Sequence, residues 1–284
     1  MKGPKRTMSL PNLPNKYASG AVIEPLRVVQ ERAKHGLGLS GSIPAGVIIC
    51  YDTPLWDWAR SLPDLIACDG WLTGSYLVQI GDRRVLITKA AGVGAPTAVM
   101  TLEELIALGI TKFVSLGAAG GLQPSMSIGE IVVCDRAIRD EGTSHHYLQS
   151  AKYAHACPNM TAELLAGIKA AGLTPRTGTS WTTDAPYRET VDELRTYRAE
   201  GVMTVEMEAA ALFAVGEYRG VSVSSIFSIS DILTVEEWDH GFHTEDMAIG
   251  MQRIFEIALD TIAGLGPVGE VLEKQEFRIR SGAR

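Results

Sequence analysis

The chain has 284 residues, enough for one large α/β domain with a substantial core or for two small ones. Its formal net charge of −7 argues against a polyanion partner, because a nucleic-acid reader needs a concentrated basic face to displace counterions from phosphates. Four cysteines, Cys50, Cys68, Cys134 and Cys157, lie far apart with no C-x-x-C pairing, which speaks for buried thiols in a reduced compartment rather than a zinc knuckle or disulfide scaffold. The start of the chain lacks a secretion-type apolar run and no segment is apolar enough to span a bilayer, so a soluble cytoplasmic protein without membrane or nucleic-acid partners is expected.

In chain order, residues 1–24 read as an N-terminal extension, residues 25–265 as one compact domain and residues 266–284 as a C-terminal extension. Apolar runs of strand length are predicted at 45–51, 84–88, 113–116, 131–134 and 221–229. Helical spacing is predicted at 95–108, 160–171, 187–200, 206–219 and 243–262. This alternation favours an α/β sandwich around a mixed or parallel sheet, where ligands gather at the carboxyl ends of strands.

Three segments meet that condition. Residues 115–121 lead from a strand into a predicted glycine turn, with Gly117, Ala118 and Ala119 able to approach a ligand closely; glycine after a strand is turn chemistry just as often. Residues 204–211 place Glu206 and Glu208 around Met207, directly before a run of alanines. Acidic side chains in a first helical turn need no ligand, which accounts for one glutamate better than for two. As a ligand, Glu208 would accept hydrogen bonds from a sugar's hydroxyls and Met207 would offer a polarizable surface, with Glu206 structural. Residues 227–232 deliver Asp231 at the end of an apolar run, as a helix cap or, with Ser230 orienting it, as a proton donor.

With these segments the chain resembles the nucleoside phosphorylase family, which includes hexameric purine nucleoside phosphorylases, uridine phosphorylases and methylthioadenosine nucleosidases. The resemblance runs in order from about Gly46 to Ile262. It rests most on residues 205–210 and on Ser230-Asp231, with weaker support from residues 92–96, 117–121 and the run ending at Asp135. It implies a three-layer α/β/α sandwich around a mixed, partly barrel-like central sheet. It also implies ribose binding by Met207 and Glu208, and protonation of a purine by Asp231 with Ser230. Trp181, Tyr187 and Arg188 would flank the base, since Pro186 stands where many relatives carry an aromatic residue. A homo-oligomer built on dimers, up to a hexamer, is expected by the same resemblance.

The family's phosphate ligands depart from pattern. Trp56 stands where the first arginine is expected, Ser115 and Ala118 where an arginine and a Ser or Thr are expected, and Asp69 where a neighbouring subunit's arginine is expected. The nucleophile pocket would then comprise Gly117, Ala118, Ala119 and Arg139, holding phosphate as co-substrate or water in its place. The resemblance therefore implies cleavage of a nucleoside, a purine nucleoside by preference, to free base and ribose 1-phosphate. Hydrolysis is the alternative and non-catalytic nucleoside binding or storage a third. No cofactor is expected, and the Asp239, His240 and His243 group is read as surface loop rather than metal site.

Overall fold

The computed structural model describes residues 12–13, 15–35, 42–68, 74–234 and 238–264. The elements are α1 (Pro25–Lys34), β1 (Gly46–Cys50), α2 (Thr53–Ala59), β2 (Leu65–Ala67), β3 (Tyr76–Ile80), β4 (Arg83–Lys89), α3 (Ala95–Ala107) and β5 (Lys112–Gly121), followed by β6 (Ile131–Asp140), β7 (Tyr153–His155), α4 (Pro158–Ala170) and β8 (Thr177–Thr183), and finally α5 (Val191–Ala199), β9 (Thr204–Glu206), α6 (Ala209–Arg219), β10 (Ser222–Leu233), β11 (Trp238–His240) and α7 (Glu245–Ala263). The expected C-terminal extension and residues 1–11 of the N-terminal one lie outside the described residues, as does Asp69.

The described strands join in one mixed sheet in the order β11-β10-β6-β8-β9-β5-β1-β4-β3-β2, with β7 on β6. A further parallel pairing of β10 with β5 closes β5, β10, β6, β8 and β9 into a ring, so one half of the sheet is a barrel and the other half open. This is the expected sandwich with a partly barrel-like sheet.

Strand β1 shows why the layers form. All five of its residues are buried, and it pairs in parallel with β4 and β5, as a continuous apolar run requires when both faces are covered. Side chains alternate across a strand, so Val47 and Ile49 join one core with α3 and α6, while Ile48 and Cys50 join the other with α2, α4 and α7.

Residues 117–121 depart from the sequence expectation. They form no turn: β5 runs on through Gly121, paired to β10 and β9. Two of these glycines serve close packing inside the ring. A Cβ on Gly120 would collide with Leu233 and lie 3.0 Å from Val205 Cγ1, and one on Gly121 would lie 2.8 Å from Ile232 Cδ1. Helix boundaries shift for local reasons. Helix α5 starts at Val191 rather than 187 because Thr190 and Glu193 form a reciprocal capping box. Helix α6 starts at Ala209 because Glu206 ends β9.

Helix α7 lies on β10 through Gly250, where a Cβ would collide with Ser228 Oγ and come within 2.6 Å of the Gly129 carbonyl oxygen. Alanine gains up to about 1 kcal/mol over glycine in an open helix, but overpacking costs about 1–3 kcal/mol. Gly250→Ala should therefore lower stability on balance, seen as a lower urea midpoint with an unchanged m value.

Candidate active site

The carboxyl ends of β1, β5 and β10, the β9-to-α6 junction and the start of α7 surround a cavity of about 640 Å³, within the range of small-molecule sites. Its walls include Tyr51, the chain from Gly117 to Gly120, Met207, Glu208, Ser230 and Phe242.

The two glutamates of the β9-to-α6 junction have different fates. Glu206 is saturated: Oε1 accepts from Ser180 Oγ at 3.2 Å and Thr182 Oγ1 at 2.5 Å, and Oε2 accepts from the backbone N–H groups of Glu208 at 2.8 Å and Ala209 at 2.7 Å. It thus satisfies two of the donors that open α6. Burial still raises its carboxyl above the ordinary value, with these bonds opposing. Glu208 holds the N-cap position of α6 without capping it. Its Oε1 instead accepts from the Gly94 N–H at 2.5 Å, just before α3. Gly94 has φ of +99°, a conformation that side chains rarely adopt, and this turn aims its N–H at the carboxylate. Glu208 is 9% exposed; burial first, then the charge of Glu206, pushes it up to about 8.

Across the cavity, β10 is bulged. Ile229 pairs with Ala119 and Asp231 with Gly120, leaving Ser230 as the extra residue. Ser230 lines the cavity and donates from Oγ to Asp231 Oδ1 at 2.6 Å. Asp231 is not itself among the lining residues, but a Cβ on the lining residue Gly120 would stand 3.5 Å from its Oδ2. That oxygen accepts from Trp238 Nε1 at 2.7 Å. Glu189, raised to about 7 by burial and next by the charge of Asp231, adds a further carboxyl near this end.

At the end of β1, Tyr51 and Ser115 share a hydrogen bond of 3.1 Å. Asp52 accepts from the Leu55 N–H as the cap of α2, and Lys89 donates to Thr53 at 2.6 Å. Trp56, at the expected arginine position, is buried with its ring 5.9 Å from that of Tyr76. Among the described residues, the walls carry the carboxylates Asp52, Glu206 and Glu208 and no Lys or Arg.

Gly117, Ala118, Ala119, Met207, Glu208 and Ser230 are thus brought together. Trp181, Tyr187, Arg188 and Arg139 are not among the lining residues. Trp181 is 1% exposed, donates to Asp140 Oδ2 at 2.9 Å and packs 4.9 Å from the Tyr197 ring, so it is a core residue rather than a wall for a base. Tyr187 is fully exposed and Arg188 exposed, in a short turn after β8. Arg139 is buried and spends its donors on Ser144 Oγ and the carbonyls of Gln149 and Leu148, clamping the loop beyond β6. Tyr51, Phe242, His243 and Met247 line the cavity and were not anticipated as site residues. Phe242 and His243 could have been flagged as an aromatic and an ionisable group just before the helix that follows Asp231. Among the described residues no group of three or more metal-ligating side chains occurs, and no helix is long and apolar enough to cross a membrane.

The raised Glu208 carries a stability prediction. Folded, it keeps its proton up to about 8, whereas an ordinary carboxyl loses it near 4.5. Between those values the folded chain binds the extra proton, so stability falls as pH rises. Glu208→Gln should leave the melting temperature near wild type at about pH 5 and raise it relative to wild type at about pH 9.

Comparison with known proteins identifies the family of the chain. The family model described as the phosphorylase superfamily matches residues 72–263. A uridine phosphorylase of Thermococcus kodakarensis is 29% identical over 193 residues, 62% of this chain and 66% of that protein. A guanosine phosphorylase of Halorubrum lacusprofundi is 31% identical over 142 residues, 49% of this chain and 58% of that one. A DeoD-type purine nucleoside phosphorylase of Caldanaerobacter subterraneus is 31% identical over 154 residues, covering 52% and 65%. The chain spans less than two thirds of the length of each of these relatives. The crystal structure of uridine phosphorylase from Vibrio fischeri ES114 shares the fold, with a TM-score of 0.66 at 23% identity over 78% of this chain and 93% of that one. With more than half of its residues matched by the family model, the chain belongs to the phosphorylase superfamily.

Proposed function

We propose that the protein cleaves the N-glycosidic bond of a nucleoside, a purine nucleoside by preference, with phosphate as co-substrate, giving free base and ribose 1-phosphate. The observation that carries this is the Glu208 carboxyl, anchored by the Gly94 N–H in a cavity that is also lined by Ser230, the hydrogen-bond partner of Asp231. Glu208 takes the ribose hydroxyls and Met207 packs on the sugar. As the C1′–N bond loosens, positive charge grows on the ribose, and the ionised form of Glu208, favoured above about pH 8, stabilises it. The bond's electron pair leaves with the base. Asp231 gives its proton to a ring nitrogen of that base, and the proton is restored from the attacking group. A purine suits this transfer because N7 accepts a proton and has no counterpart in a pyrimidine; the relatives are named for uridine as well as for guanosine and purine nucleosides.

Hydrolysis is the second function, favoured by one observation: the described walls carry three carboxyl groups and no Lys or Arg, so no side-chain cation of the walls holds a phosphate dianion, and nothing there obstructs water. In either case Trp181, buried in the core, is replaced as the base's flank by Phe242. A dimer-based homo-oligomer is proposed by family analogy. The four free cysteines suit the reducing cytoplasm.

Inosine, adenosine, methylthioadenosine and uridine, each with and without phosphate, separate these functions by release of free base. Phosphate-dependent release from the purine nucleosides is expected; release at the same rate without phosphate makes the protein a nucleosidase, and none from any substrate leaves binding alone. Asp231→Asn should slow purine release by about 10²–10⁴-fold, measured as kcat at saturating nucleoside.

A further inference from the structure

We propose that Trp238 is a positioning residue for Asp231, its indole N–H and the Ser230 hydroxyl together holding the carboxyl in the orientation from which it serves the leaving base. This rests on the role given to Asp231 above. In the β10–β11 ladder, Asp231 faces His240 and Leu233 faces Trp238, so the indole reaches diagonally across the strands to Asp231 Oδ2, 2.7 Å away. The bulge at Ser230 supplies the second donor, 2.6 Å from Oδ1.

The exposure of the two partners is unequal. Asp231 is 7% exposed, whereas Trp238 is 58% exposed in an edge strand of three residues and belongs to neither main core. A large ring left in water contributes little to folding, so its bond to a buried carboxyl calls for another role. The ring leans on His240 at 5.4 Å and on Phe242 at 6.1 Å, and Phe242 lines the cavity. A base entering against Phe242 therefore meets the same aromatic group that holds Asp231.

The donors also act on the step itself. Proton transfer breaks the carboxyl O–H bond, forms N–H on the base and leaves Asp231 as a carboxylate. Hydrogen bonds to a carboxylate are roughly twice as strong as those to a neutral acceptor. Ser230 and Trp238 therefore stabilise the state after transfer more than the state before it, and such differential stabilisation lowers a barrier.

Steady-state kinetics on inosine with the full chain test this role. Trp238→Phe keeps the ring and removes the donor; it should lower kcat about 10- to 100-fold with little change in KM. Trp238→Gln, which returns an N–H donor, should recover part of the loss, and melting temperatures should match wild type. A Trp238→Phe variant with wild-type kcat, a loss confined to KM, or a variant that fails to fold would each overturn the role. If wild type releases no base, the reaction assigned above falls and this role with it; if wild type turns over and Trp238→Phe equals it, the role of Trp238 alone falls.

Discussion

The buried carboxylate of Glu206, with four donors around it, ties together the elements that meet at the cavity. Two hydroxyls come from β8 and two backbone N–H groups from the start of α6, while the glutamate itself ends β9. A carboxyl this deep without a paired cation is tolerable only when its lone pairs are satisfied, and removing any of these partners would leave an expensive buried charge. Because Glu206 fixes the first turn of α6, it also fixes where Glu208 stands. Glu208 is met by backbone N–H groups alone, at Gly94 and Met207, which leaves it acceptor capacity for a ligand. Saturation of hydrogen bonding, rather than position in the sequence, separates the structural glutamate from the available one.

The electrostatics of the cavity follow from the same crowding. Burial raises all three acids, Glu206, Glu208 and Glu189, and the charge of Glu206 adds to the rise of Glu208 as that of Asp231 does for Glu189. Acids in walls that carry no Lys or Arg favour, when ionised, a process in which positive charge appears among them. In the reaction proposed above, that property would suit the departure of a base from a sugar and oppose retention of a free anion.

The sheet, the layers and the junction around Glu208 were legible because they follow from short-range pattern: β1 is a continuous apolar run, and Glu206-Met207-Glu208 stands out before alanines. In sequence the glycines of β5 read as a turn, because the cause of their place in a strand lies far away in sequence, in Leu233, Ile232 and Val205 packed against them. Residue type and family position do not report partners: Asp140 and Tyr197 hold Trp181 in the core, and three acceptors near Ser144 occupy Arg139. Trp238 and Tyr51 are not legible in the sequence since each matters through a side-chain hydrogen bond, to Asp231 across a hairpin and to Ser115 on a strand distant in sequence, that no periodicity reports.

The pairing that closes the ring has a kinetic consequence. Strand β10 lies on β5 in a register that sets Ser222 opposite Lys112 and Ile232 opposite Gly121, so partners are far apart in the chain, with four other strands and three helices between them. Contacts of such long sequence separation carry a large loop-closure entropy and form slowly. The cavity has no wall on one side until this closure occurs, since Gly117 to Gly120 and Ser230 come from the two strands concerned. A nascent chain released before β10 has docked would carry Glu208 and no complete pocket, and the full cavity would arrive in one step with the last seam of the barrel.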